Sequence, residues 1–199
     1  HLRPRLTRKR EQSGRVWCKL HPAFSQRGFA VATKVSICSN ALLMLGAQTI
    51  NSLDEESDRA RLASNLYDGL RNDLLRSHPW NCAVKRVLLA PDVEVPAFDY
   101  TAQFTLPSDW LKTLSVGIEG YEVDYKHEGG KILCGGTSLA LRYIFRNEVE
   151  ATWDSMMVRA MELRMAAEMA YPITGSASMA DMMHSKLQQH MQQARAVDG

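Results

Sequence analysis

Apolar residues recur at three- and four-residue spacing in two blocks of the chain, and at a spacing near two in the block between them. Val35, Cys38, Ala41/Leu42 and Leu45 predict a first helix over about residues 33–46, with Gly46 able to close its end. After the loop TINSLD, the acidic DEESD suits a helix N-terminus, and Ala63, Leu66/Tyr67, Leu70 and Leu74 continue as one apolar stripe. Asp58, Arg59, Arg61, Asp68, Arg71 and Asp73 supply much of that helix's polar surface. Pro79 disfavours helical geometry at His78, so the second helix is predicted to end there.

From Trp80 to about residue 147 the stretches AVKRVLLA, FDYTAQFTLP, WLKTLSV, YEVDY, KILCG and LALRYIF read as strands, separated by Pro, Gly and acidic turns. HEGGKILCGG reads as a hairpin turn leading into a short strand. The helical period returns with Trp153, Met156/Met157, Ala160, Leu163/Arg164 and Ala167 on one face, and Pro172 is expected to end that helix. In the connector ITGSAS, Ser176 or Ser178 can serve as N-cap for a last helix over about 179–195, carrying Met179, Met183, Leu187, Met191 and Ala194. The order predicts an α+β fold: a four-helix bundle (helices 33–78 and 153–196) with a small β-rich insertion, 80–147, between helices 2 and 3.

Composition narrows the class. At 199 residues, 45% of them hydrophobic and 23% charged, the chain has the values of a soluble globular domain. It is long enough to bury roughly 70% of its unfolded surface. The longest apolar run, ALLML at 41–45, is far too short to span a bilayer, so no membrane partner is expected. Cys18, Cys38, Cys82 and Cys134 form no CxxC pair, against a disulfide framework or a zinc ribbon.

The net charge of +2 conceals a split. Residues 1–30 hold eight Lys/Arg against Glu11; of the chain's 24 basic and 22 acidic side chains, 16 and 21 remain, so the body carries −5. The leader has neither a helical or strand period nor a signal-peptide core, and all ten Met lie at or after Met44. We therefore read residues 1–30 as a disordered basic leader, translated from upstream sequence, with Val31 as the natural start from a GTG codon. The alternative is a nucleic-acid-binding module: a basic arm with Trp17, Phe24 and Phe29 as stacking aromatics.

Candidate chemistry is thin. His78 and Cys82 are separated by Pro79, share no helical face and lack further zinc ligands; a corner plugged by Trp80 is the better reading. GKILCGGT at 130–137 approximates a phosphate loop, but Gly136 replaces its lysine and a strand, not a helix, follows. Glu119, Glu122, Asp124, His127 and Glu128 suit a solvated hairpin better than a hard-cation site, and Asp54, Glu55, Glu56 and Asp58 suit a helix start. His184 and His190 are six apart with no HExxH, and Ser36, Ser39 and Ser108 lie in no GxSxG elbow. Thus no catalytic, cofactor-binding or metal residue is assigned, and no enzyme is expected. Nine Met fall within residues 156–191, more than two helices' cores need; core is the default for any single one, and some are expected at a contact between chains.

RARLASNLYDGLRNDLLRSHPWNCAVKRVLLAP resembles the opening half of the podophage head-to-tail adaptor family, also called tail tubular protein A. FTLPSDWLKTLSV, LALRYIFRNEVEATWD and MAAEMAYPITGS match further on, in the family's order, so that the resemblance spans about residues 35–196. It makes His78, Pro79, Trp80 and Asn81 a family-motif structural corner. Cys82 departs from the pattern, standing where the family usually has an aromatic; the family also tends to continue past the last helix. The resemblance implies a non-catalytic structural virion protein in the tail connector, assembled in the bacterial host cytoplasm. Twelve copies would ring the channel under the portal protein and bear the tail nozzle protein. Genomic DNA would pass without specific binding, which suits a −5 body that repels phosphates.

Overall fold

The computed structural model describes residues 31–118, 121 and 123–198, which belong to one unit, Val31–Gly199. The expectations for residues 1–30, Glu119 and Glu122 fall outside the described residues. Among the described residues the architecture is α+β: four helices and two small three-stranded sheets, with all six strands between the second and third helices.

Helix α1 (Lys34–Met44) starts at a reciprocal cap, in which Thr33 Oγ1 accepts from the Ser36 amide and Ser36 Oγ from the Thr33 amide. Gly46 turns the chain away in the left-handed region (φ 73°). Helix α2 (Asp58–Ser77) is capped by Ser57, whose side chain accepts from the Ala60 amide. Of the acids in DEESD only Asp58 lies in its first turn, while Glu55 closes the preceding loop by accepting from the Asn51 amide. α2 stops at His78, which is extended (φ −154°, ψ 147°) as a residue before proline prefers.

The first sheet has the order β1 (Val84–Leu89), β6 (Leu139–Phe145), β3 (Trp110–Val116); the second has β2 (Ala102–Thr105), β5 (Lys131–Cys134), β4 (Tyr125–Glu128), all antiparallel. YEVDY is not a strand over its length. The hairpin turn at Gly129–Gly130 sets Tyr125 opposite Cys134, the last residue of β5, so β4 has no partner before Tyr125. The two sheets share an apolar cluster of Ala102, Phe104, Ile132, Cys134, Leu139, Leu141 and Tyr143.

Helix α3 (Ser155–Thr174) starts at Asp154, whose carboxylate accepts from the Met156 and Met157 amides. Pro172 does not end it: the helix continues to Thr174, where Thr174 Oγ1 donates to Ala170 O and left-handed Gly175 donates to Tyr171 O. Burial of Met169 and Ala170 keeps that last turn packed, which outweighs the one amide bond the proline removes. Helix α4 (Ala177–Asp198) begins two residues earlier than the spacing suggests, with Ser176 Oγ accepting from the Met179 amide.

α3 is the hub of the helical region, since α1, α2 and α4 all pack on it. It is buried well beyond one stripe, with Ala160, Met161, Glu162, Met165, Ala166 and Met169 all inside. Core as the default for each methionine is borne out, and the surplus expected beyond it is not seen. Met157, Met161, Met165, Met169 and Met183 are core; Met156, Met179 and Met191 pack against it; only Met182 of the nine is exposed. Because α3 meets three helices, it needs apolar residues well beyond a single stripe.

Candidate functional site

The corner after α2 is built from its own short-range bonds. Trp80 is fully buried, its indole Nε1 donating to Leu74 O at 3.0 Å, and its ring meets His78 edge-on with centroids 4.8 Å apart. The chain then makes a single 3-10 turn, Asn81–Ala83, and enters β1. Cys82 is half-buried with Sγ 3.3 Å from Met157 Sδ, and its carbonyl accepts from Asn147 Nδ2 at 2.8 Å. Asn147 also donates to Thr152 Oγ1 at 2.9 Å. The strand leaving the helices at residue 83 and the segment returning to them at 146–152 are thus tied to each other.

A line of buried polar groups continues the tie. Tyr67 Oη donates to Glu150 Oε1 at 3.0 Å, and Arg71, only 1% exposed, pairs with Asp68 at 2.9 Å and Glu148 at 3.1 Å. Burial, then the Glu150 charge and hydrogen bond, hold the Tyr67 phenol far above its ordinary titration range. Burial next to Glu150 also pushes the Cys38 thiol up to about 12, despite the opposing charge of Lys34, so it is a poor nucleophile. Tyr67 and Arg71 tie α2 to the returning segment at Glu148 and Glu150.

The remaining sequence candidates are dispersed. The phosphate-loop-like stretch is the β4–β5 hairpin and the turn after it, with Gly136 at φ 127°. His127 stacks on Trp110 at 4.8 Å, and His190 Nε2 lies 2.8 Å from Met156 O. Ser39 Oγ donates to Ile50 O at 2.8 Å, fastening the loop after α1. Cys38, Cys82 and Cys134 form no disulfide, and among the described residues no group of three His, Cys, Asp or Glu could hold a metal ion. No helix among them is long and apolar enough to cross a membrane.

The feature that the sequence reading passed over is an open sheet face. Alternation along β6 sends Leu139, Leu141 and Tyr143 into the inter-sheet cluster, and Ala140, Arg142 and Ile144 to the other side. There Ile144 joins the helical core, but the residues beyond it stay open and floor a cleft of about 670 Å³. Arg86, Leu88, Ser115, Ile118, Tyr121 and Arg142 line it. Leu88, Ile118 and Tyr121 are 69%, 70% and 76% exposed. Arg86 lies directly opposite Arg142 in the ladder, and both are exposed. Two cations in register repel one another. The β1 ladder register could have signalled the pair only once the partner strand was known.

A second exposed segment follows the C-terminal end of β1. Asp92 anchors its base: the carboxylate accepts from Thr105 Oγ1 at 2.9 Å and pairs with Lys131 at 2.9 Å, while its amide donates to Gln103 O. Those bonds hold the Asp92 carboxyl below its ordinary range. From there residues 93–99 project outwards, with Val93 fully exposed and Val95 and Phe98 mostly so. Glu94 and Asp99 are exposed on the same segment.

Compared with known proteins, the chain matches no family model and no curated sequence.

Proposed function

We propose that this chain is a structural virion protein, a head-to-tail adaptor that forms a ring between the portal and the tail nozzle and extends the DNA channel. The observation that carries the reading is the ordered set of stretches in the sequence, from RARLASNLYDGLRNDLLRSHPWNCAVKR through FTLPSDWLKTLSV and LALRYIFRNEVEATWD to MAAEMAYPITGS. In this reading the four helices are a bundle, the strands are its insertion, and His78, Pro79, Trp80 and Asn81 are the joint between them. The protein works by shape and contact and performs no catalysis. Twelve copies close the ring through heterologous contacts, one face of each chain meeting a different face of the next. The acidic body lets genomic DNA slide past without gripping it.

The test is to mix the chain with the portal protein encoded nearby and image the product by negative-stain electron microscopy, with each component alone as control. Ring density added to the portal's tail side is the expected result. Absence of binding, with both proteins folded, removes the reading and returns attention to the basic segment 1–30 as a nucleic-acid arm.

A further inference from the structure

The open face of the first sheet and the projecting segment 93–99 are complementary in chemistry. The face offers two cations, Arg86 and Arg142, neither of which makes an ion pair or hydrogen bond among the described residues, set among exposed Leu88, Ile118 and Tyr121. The segment offers two carboxylates, Glu94 and Asp99, likewise without an ion pair among the described residues, set among exposed Val93, Val95 and Phe98. Single exposed apolar residues need no explanation, but here they gather on two surfaces of opposite charge. Arg and Tyr beside aliphatic side chains is also the composition of interface cores.

Neither surface is covered among the described residues, since Val93, Phe98, Leu88 and Ile118 all remain exposed. The segment is nevertheless held in place at its base by Asp92, and it bends at Asp99, which sits in the left-handed region (φ 67°). An anchored, exposed segment loses less freedom on docking than a floppy one.

We propose that segment 93–99 of one copy docks on the β1–β6–β3 face of a second copy, its carboxylates relieving the Arg86–Arg142 repulsion and Phe98 entering the cleft. The contact is heterologous, so repeating it builds a ring or a filament. It deepens the adaptor reading, on which it rests for the ring, by naming the contact between neighbours.

The experiment is sedimentation velocity on the full chain and on two charge variants, one with Arg86→Glu and Arg142→Glu, the other with Glu94→Lys and Asp99→Asn. All four positions are exposed, and circular dichroism verifies that each variant folds. The parent chain is expected to self-associate, more weakly at higher salt. Each variant alone should associate on the order of tenfold or more weaker, and an equimolar mixture of the two should regain association. Phe98→Ser should weaken association with unchanged thermal stability. A parent chain that stays monomeric overturns the proposal, as do variants that associate like the parent. Because no portal is present, that failure is distinct from a failure of portal binding.

Discussion

The two apolar clusters of this chain are closed to different degrees. In the helical region α3 is wrapped by three helices, and even its Glu162 is buried, paired with Arg159 at 3.0 Å and accepting from Asn40 at 2.6 Å. In the β region the two sheets cover one face each, and the other face of the first sheet meets the helical core at Ile144 but opens to solvent beyond it. Of the thirteen large apolar residues exposed among the described residues, seven (Leu88, Val93, Val95, Phe98, Ile118, Tyr121 and Tyr125) lie in β1 or between it and β6. The helices hold the larger core, and the β region carries most of the exposed apolar surface. On the docking proposed above, stability and binding are separated in space, so substitutions in the two regions should report on different properties.

The largest effect should come from Trp80→Ala. It empties the buried corner and removes the bond to Leu74 O, and should cost about 3–5 kcal/mol in denaturant unfolding, with helical and sheet signals falling together. Phe104→Ala removes an equally buried ring from the inter-sheet cluster. Its damage should be read by hydrogen exchange in β2 and β5 while α3 amides keep their protection; equal loss in α3 would merge the two regions into one cooperative unit. Tyr67→Phe leaves Glu150 without its phenol donor and should cost about 1–3 kcal/mol, measured the same way as for Trp80.

The smallest effect lies at the surface of the β region. Burial raises the Asp109 carboxyl, but hydrogen bonds from Lys85 and Tyr143 and the Lys85 charge outweigh it and hold the group below its ordinary value of 3.8. A depressed acid stabilises the fold above its unfolded pKa and loses that contribution as pH falls through the folded value. Asp109→Asn should thus cost about 1 kcal/mol or less at neutral pH, and the gap to the parent chain should close as unfolding is followed below 3.8. A gap that widens on acidification would contradict the assignment.

Much of this arrangement was legible in the sequence because periodicity reports which face is buried. The four helices and the strands β1, β3, β5 and β6 follow from spacing, and the end of α2 follows from Pro79. What escaped has a common cause: it depends on neighbours distant in sequence. Ala160, Ala166 and Ala170 signal little on their own, so the all-round burial of α3 was missed until three helices were seen to meet it. The run of YEVDY looked strand-like, yet of its residues only Tyr125 has a ladder partner among the described residues. Arg86 and Arg142 are 56 positions apart, and only the strand register makes them one feature. The exposed segment 93–99 was read as turns and the start of a strand, because Pro91 and Pro96 mark turns without telling how far one projects.

The joint between the regions bears on how the molecule takes load. Two strands of chain cross it, and Asn147, Tyr67 and Arg71 stitch the crossings to each other and to α2. A sheet hung on a single linker would swing. One mounted at two stitched points acts as a bracket, and a pull on the β region is delivered straight to α2 and α3 instead of being lost in slack.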